Sequence, residues 1–239
     1  LDSERIIFYG ATSAGPDAEL QDIAFFAYDV NNRRLLYSGR NGPARYMILA
    51  KSTGRLYYVP GGNDGELMRF DPETGEPPVP IGQTIGVRAA TEETADGFVY
   101  AVSSGQRAGD AALWRFNTRT EQSEQIGTIA VGTEAYVASL DLAAGGRLLY
   151  YVPGAHGGGF RDGSPLVQFD LKSRTRKVIA FLHPFYEEKY GLIPKGTYST
   201  AVSPEGDKVY ITWNVSRGTR AWDCCGLSVV HIPESERRP

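Results

Sequence analysis

His156, Arg161 and Asp162 fall within one short segment, Gly154-Ala155-His156-Gly157-Gly158-Gly159-Phe160-Arg161-Asp162-Gly163. An imidazole moves protons near neutral pH, a guanidinium grips carboxylates, and a carboxylate orients either of them. Glycines tolerate unusual backbone angles and let a ligand come close. The set is a candidate acid–base and anion-binding group; the alternative is a flexible hairpin loop with a solvated histidine. A second segment reads His183-Pro184-Phe185-Tyr186-Glu187-Glu188-Lys189-Tyr190-Gly191. Here His183 and Tyr186 are candidate catalytic groups. Glu187 and Tyr190 are candidate ligand contacts, because aromatic faces stack on sugars and carboxylates accept from their hydroxyls. The alternative packs His183 at a strand end and makes the rest a short surface helix or turn.

A third segment, Asn214 to Gly226, carries Arg217, Arg220 and Trp222 as further candidate ligand contacts, and ends in adjacent cysteines, Cys224 and Cys225. Neighbouring Cα atoms lie about 3.8 Å apart, below the roughly 4.4 Å minimum of ordinary disulfides, so a bond between them is strained. Formed, it stiffens the loop and marks an oxidising compartment; reduced, the two are small residues entering a strand, one on each side. Asn214-Val215-Ser216 fits the glycosylation sequon, which matters only in a eukaryotic secretory setting.

Other chemistries find little footing. The chain has three histidines, and His231 fills a turn slot, which argues against a histidine-rich metal centre. No cofactor is expected. Calcium held by carboxylates alone, through Asp162, Glu187 or Glu188, is the one metal reading, and nothing has the ligand spacing for it. No haem-attachment motif, nucleotide-binding glycine loop or nucleophile elbow is present. A net charge of −3 without long charge blocks gives no reason to expect a nucleic-acid partner. Apolar runs such as Leu148 to Val152 are far short of the roughly 20 residues a membrane span needs. The opening Leu1-Asp2-Ser3-Glu4-Arg5 lacks a basic and apolar leader, so any signal peptide is expected to be removed or to lie upstream.

The elements that must position these groups recur. Arg5 to Gly10, Arg55 to Pro60, Gly97 to Tyr100, Arg147 to Val152 and Asp207 to Tyr210 each give a short apolar strand, at intervals of roughly 40 to 60 residues. Each is followed by an alternating strand ending in a turn residue: Phe26 to Asp29, Leu67 to Asp71, Leu113 to Asn117, Leu166 to Asp170 and Leu227 to His231. A third strand follows each turn except the last, and a fourth precedes each unit except the first. The pattern predicts an all-β chain of β-propeller blades with no convincing helix: three strands, three complete four-stranded units, then three strands. The blade limits are approximately 1–42 (partial), 43–85, 86–132, 133–190 and 191–239 (partial). The unmatched ends imply the C-terminal part of a six- to eight-bladed ring, seven as the central expectation, with its remaining blades upstream or on another chain. An irregular five-blade ring is the rival.

Gly54-Arg55-Leu56-Tyr57-Tyr58-Val59-Pro60, Phe70-Asp71-Pro72-Glu73-Thr74-Gly75 and Ala201-Val202-Ser203-Pro204-Glu205-Gly206-Asp207-Lys208-Val209-Tyr210 resemble the bacterial superfamily of YVTN-, TolB- and WD40-like propellers. The resemblance implies a fold and a periplasmic or secreted setting, not a reaction. The expected function is noncatalytic binding of a saccharide, peptide or protein through the long loops, which should emerge on one face. The alternative is a polysaccharide lyase or glycosidase acting on uronate glycans, with His156 or a tyrosine as acid or base and Arg161, Arg217 and Arg220 neutralising the carboxylate.

Overall fold

Alternation of buried and exposed side chains makes these segments strands. In the stretch Lys208–Arg217, Val209, Ile211, Trp213 and Val215 are buried while Tyr210 and Thr212 are exposed, the period of two that a pleated strand imposes. The computed structural model describes residues 6–12, 19, 22–105, 111–134, 136–154, 158–218 and 220–237, with the backbone alone at 220–223.

The described strands form five antiparallel sheets, each in chain order. The first holds β1 (Ile7–Thr12), β2 (Ala24–Asp29) and β3 (Arg34–Gly39). The second holds β4 (Ile48–Leu49), β5 (Leu56–Tyr58), β6 (Asp64–Phe70) and β7 (Val79–Gly86). The third holds β8 (Ala89–Ala90), β9 (Phe98–Val102), β10 (Ala112–Asn117) and β11 (Gln122–Thr128). The fourth holds β12 (Val137–Leu142), β13 (Leu148–Pro153), β14 (Pro165–Asp170) and β15 (Thr175–Phe181). The fifth holds β16 (Leu192–Val202), β17 (Lys208–Arg217) and β18 (Arg220–His231). These up-and-down sheets are propeller blades, in the three, four, four, four, three sequence expected.

Two expectations need correction. The chain is not without helix: α1 (Leu182–Tyr190), which is the short surface helix of the alternative reading of the second segment, a short α2 (Glu234–Arg237) and a 3-10 turn at Gly159–Asp162 are present. Pro184 is tolerated because the first four helical N–H groups lack partners anyway, and Gly191 closes α1 in the left-handed region, its N–H donating to the carbonyls of Glu187 and Tyr186. The expected long loop from Asn214 to Gly226 is instead a continuation of the hairpin. Val215 pairs with Cys224 and Arg217 with Arg220, so Trp222-Asp223 lies within β18 rather than ahead of it.

A recurring lock explains the repeat. The residue at or just past the end of the third-position strand of each complete unit caps the turn that follows it. Asp71 accepts from the N–H of Glu73, Asn117 from those of Arg119 and Thr120, and Asp170 from those of Lys172 and Ser173; in the first sheet Asp29 accepts from Asn32. Two of these carboxylates also take an arginine from the preceding strand's start: Arg55 Nε reaches Asp71 at 3.2 Å, and Arg147 grips Asp170 with two bonds of 2.8 and 2.6 Å. Arg147 holds the Asp170 carboxyl well below the usual carboxylate range.

The chain divides into two compact units, Leu1–Arg88, Glu92–Ser103 and Trp114–Gln125 in one, and Ala89–Thr91, Ser104–Leu113 and Ile126–Pro239 in the other. The first is built on Phe25, Ala27, Leu56, Tyr58 and Phe70, with ring centroids 5.1 Å apart for Phe25–Tyr58 and 5.3 Å for Phe25–Phe70. The second buries Leu148, Tyr150, Val152 and Leu166 against Leu182, Val209, Ile211, Trp213, Val215 and Ile232.

Candidate functional site

The second unit gathers most of the candidate groups at one end. Its 3-10 turn joins β13 to β14, α1 joins β15 to β16, and the β17–β18 hairpin tip lies beside the end of α1, because Leu192, next after the capping Gly191, pairs with Arg217. The three segments do meet on one side, as their positions in the repeat require.

Side chains stitch the first two segments together. His183 Nδ1 donates to the Phe160 carbonyl at 2.9 Å, and the two rings meet edge to face at 5.6 Å. The backbone N–H groups of Leu182 and His183 donate to the carbonyls of Ser164 and Gly163, and Ser164 Oγ donates to the Pro194 carbonyl at 2.7 Å. His183 Nε2 is buried, 3.0 Å from Glu187 Oε2 but out of hydrogen-bond alignment. Both nitrogens are enclosed by the fold, so His183 serves as a pin between loops.

Asp162 is likewise committed: its Oδ2 accepts from the N–H and hydroxyl of Thr133 at 2.7 and 2.9 Å, tying the turn to the connection between β11 and β12. Arg161 stands over the Phe160 ring at 5.8 Å, and Lys195 approaches the same ring at 5.8 Å. The glycine run closes its own loop. Gly154 has φ +89°, and its backbone touches that of Gly159, while the Glu134 carboxylate occupies the place a side chain at Gly158 would take. A side chain at Gly154 or Gly159 meets backbone and collides, whereas one at Gly158 displaces the Glu134 carboxylate. His156 lies outside the described residues.

Glu134, Thr133, Phe160 and Lys195 are members that sequence reasoning missed. Burial, and next to it the negative charge of Asp162, push the Glu134 carboxyl above its usual range, with Arg161 opposing. Because the folded state disfavours the ionised form, this group lowers stability as pH rises past the unfolded carboxyl's pKa of about 4.3. Glu134→Gln should therefore match the wild type below pH 4 and melt at a higher temperature at pH 7. A lower melting temperature of the variant at pH 7 refutes that sign.

The outer surface of α1 is different in kind. Phe185 and Tyr190 are 50% and 53% exposed, with ring centroids 6.2 Å apart, and Lys189 Nζ lies 5.2 Å from each. Tyr186 packs back onto the core and stacks 5.9 Å from Tyr190. Glu187 and Glu188 are exposed on the same helix. Arg217 is exposed at the hairpin end; Arg220 and Trp222 are placed by backbone on β18. Cys224 and Cys225 are free thiols, both exposed, at consecutive positions of a regular strand that sends their side chains to opposite faces.

Among the described residues no three histidine, cysteine, aspartate or glutamate side chains gather as a metal group, so Asp162, Glu187 and Glu188 form no common calcium ligand set. No helix among them is long and apolar enough to cross a membrane. Cavities of about 170 and 230 Å³ lie at the turn end of the second unit, both lined by Arg147 and Leu148, and not beside α1.

This chain has the β-propeller fold. It matches no known family model and no curated protein, so the superfamily resemblance rests on the segments quoted above. Among solved structures it is similar to oligogalacturonate lyase in complex with manganese, with 13% identity, a TM-score of 0.62, and 99% of this chain and 64% of that chain covered. It is also similar to the hydrazine synthase of Kuenenia stuttgartiensis, with 11% identity, a TM-score of 0.56, and 80% of this chain and 58% of that chain covered. Both are propeller folds, and identities this low carry the fold alone. The chain spans less than two thirds of the length of either.

Proposed function

We propose that the chain is the ligand-binding part of a noncatalytic extracytoplasmic propeller, completed by further blades, which takes a saccharide on the exposed face of α1. The observation that carries this is the pair of half-exposed rings, Phe185 and Tyr190, held beside Lys189 on a helix pinned at its start by His183. Rigid aromatic faces bind sugars without losing much side-chain freedom, and Glu187 and Glu188 stand ready to accept from hydroxyls. The engagement of His183 and Asp162 in loop-to-loop bonds supports binding over catalysis. The periplasmic or secreted setting follows from the sequence resemblance.

The test is calorimetric titration with an oligogalacturonate and with a neutral glucan oligosaccharide. Binding of either is expected, and Phe185→Ala/Tyr190→Ala should weaken it about tenfold or more, from roughly 0.5–1.5 kcal/mol per ring. Absence of heat with every saccharide, or a double variant that binds as tightly as the wild type, overturns the reading; binding of peptides instead makes it a peptide site. One observation favours a lyase as the second reading: Glu134, its carboxyl biased toward the protonated form, stands near Arg161. Unsaturated uronate product that vanishes in Glu134→Gln would establish it, and none from the wild type would remove it.

A further inference from the structure

At the end of the second unit opposite α1, three segments close around the cavity of about 170 Å³. The β12–β13 turn brings Ala143 and Ala144, the β16–β17 turn brings Glu205, and α2 brings Arg237, while Leu148 and Tyr150 line it from β13. α2 is fastened in place. Ile232 is buried and its N–H donates to the Asp207 carbonyl at 2.8 Å, Gln168 Nε2 donates to the Glu236 carbonyl at 2.9 Å, and Lys177 pairs with the Glu236 carboxylate. Arg237 is thereby held with its Nε enclosed, and that N–H finds no acceptor among the described residues. A buried charged donor without an acceptor is costly, and it marks a place where an acceptor belongs. The hydroxyl of the fully buried Tyr150 accepts from Gln168 Nε2 at 2.7 Å, which leaves its own hydrogen to donate. The Arg237 charge acts on that hydroxyl, so the two donors are neighbours.

The charges around this cavity are unevenly matched. Arg147 is taken by Asp170 through two bonds, and Asp207, near Arg237, is taken by Lys208 and the Ser203 hydroxyl, each at 2.8 Å. That leaves a cation, Arg237, and an anion, Glu205, which line the same cavity from different elements without forming an ion pair with each other. We infer that the cavity is a second ligand site, which takes a free α-amino acid with a small aliphatic side chain. Its carboxylate accepts from Arg237 and the Tyr150 hydroxyl, its ammonium faces Glu205, and its side chain lies against Ala143, Ala144 and Leu148. A simple carboxylate would leave Glu205 unanswered, and a simple amine would leave Arg237 so. The volume is close to the roughly 150 Å³ that holds benzene, so a ligand of about six to nine non-hydrogen atoms fits, the size of valine or leucine. The site lies at the other end of the sheets from α1 and is independent of the saccharide reading.

Calorimetric titration of this chain with leucine at pH 7 is expected to show one molecule bound per chain, with a dissociation constant of about 1 mM or tighter. Two truncated ligands divide the contacts. Both 4-methylpentanoate, which lacks the ammonium, and 3-methylbutylamine, which lacks the carboxylate, should bind about tenfold more weakly than leucine. Arg237→Gln should weaken leucine about tenfold or more, and weaken it more than the amine; Glu205→Gln should weaken leucine more than 4-methylpentanoate. Absence of saturable heat up to about 20 mM leucine overturns the inference, as does an Arg237→Gln variant that binds leucine as tightly as the wild type. Equal affinity for leucine and 4-methylpentanoate overturns the amino-acid assignment in favour of a simple carboxylate. If Arg237→Gln melts below the wild type, Arg237→Lys is the second variant, which keeps the charge but lacks the Nε donor, with the same expected loss.

Discussion

Glu121→Ala is expected to destabilise the first unit by about 2–3 kcal/mol, because one carboxylate there serves three partners. Glu121 accepts from the Tyr57 hydroxyl at 2.9 Å and from Arg69 at 3.1 Å, and lies 3.5 Å from Arg55. Tyr57 is fully buried, and its hydroxyl's other neighbour, the Thr118 carbonyl, is 3.5 Å away, so the variant strands a phenol in the core. Arg55 keeps Asp71, and Arg69 is partly solvated, which limits the loss. Burial, followed by the bond to Glu121, raises the Tyr57 hydroxyl far above its ordinary pKa, so it remains a donor at any working pH. Glu121 also sits at φ +56°. Glu121→Gly should relieve that strain and be less damaging than the alanine variant by about 0.5–1 kcal/mol. In Tyr57→Phe the cost of Glu121→Ala should shrink. Urea unfolding of the wild type, the three single variants and the Tyr57→Phe/Glu121→Ala double variant measures this, and a cost below about 0.5 kcal/mol for Glu121→Ala would mean that the cluster is solvated in solution.

Trp213→Ala should cost more, about 3–5 kcal/mol, as a large aromatic removed from a packed interior. The indole is 4% exposed between the fourth and fifth sheets and donates to Ser228 Oγ at 2.7 Å. Trp213→Phe keeps most of the volume, loses that bond and leaves Ser228, 2% exposed, without its donor, for about 1–2 kcal/mol. The order alanine, phenylalanine, wild type in denaturant midpoint is the expected result. Equal midpoints for alanine and phenylalanine would show that the cavity collapses and that the hydrogen bond dominates.

The strands were legible because each carries its own instructions. Alternation in Val209, Ile211, Trp213 and Val215 and the capping Asp71, Asn117 and Asp170 are local signals, and the sheets follow them. Alternation also continues through Asn214, Val215 and Ser216, but polar and arginine residues around it suggested a loop, and the hairpin was read as ending too early. α1 is legible only as an alternative, because it is nine residues long and contains Pro184, which is harmless only in the first helical turn. The site was half legible. Its loops could be placed by the repeat, yet the partners Thr133 and Glu134 come from the connection between β11 and β12 and Lys195 from β16, and only tertiary packing unites them with the 3-10 turn. The connection between β11 and β12 occupies the same slot in the repeat as α1, which is the signal that could have drawn attention to Glu134.

The arginine–aspartate lock within the second and fourth sheets has an evolutionary consequence. Both members of each pair belong to one blade, as does the turn the aspartate closes. A stretch of gene encoding such a module brings its own fastening, so duplicating it adds a blade without demanding compensating changes elsewhere. Lineages can thereby lengthen or shorten the array while the loops between its strands diverge independently.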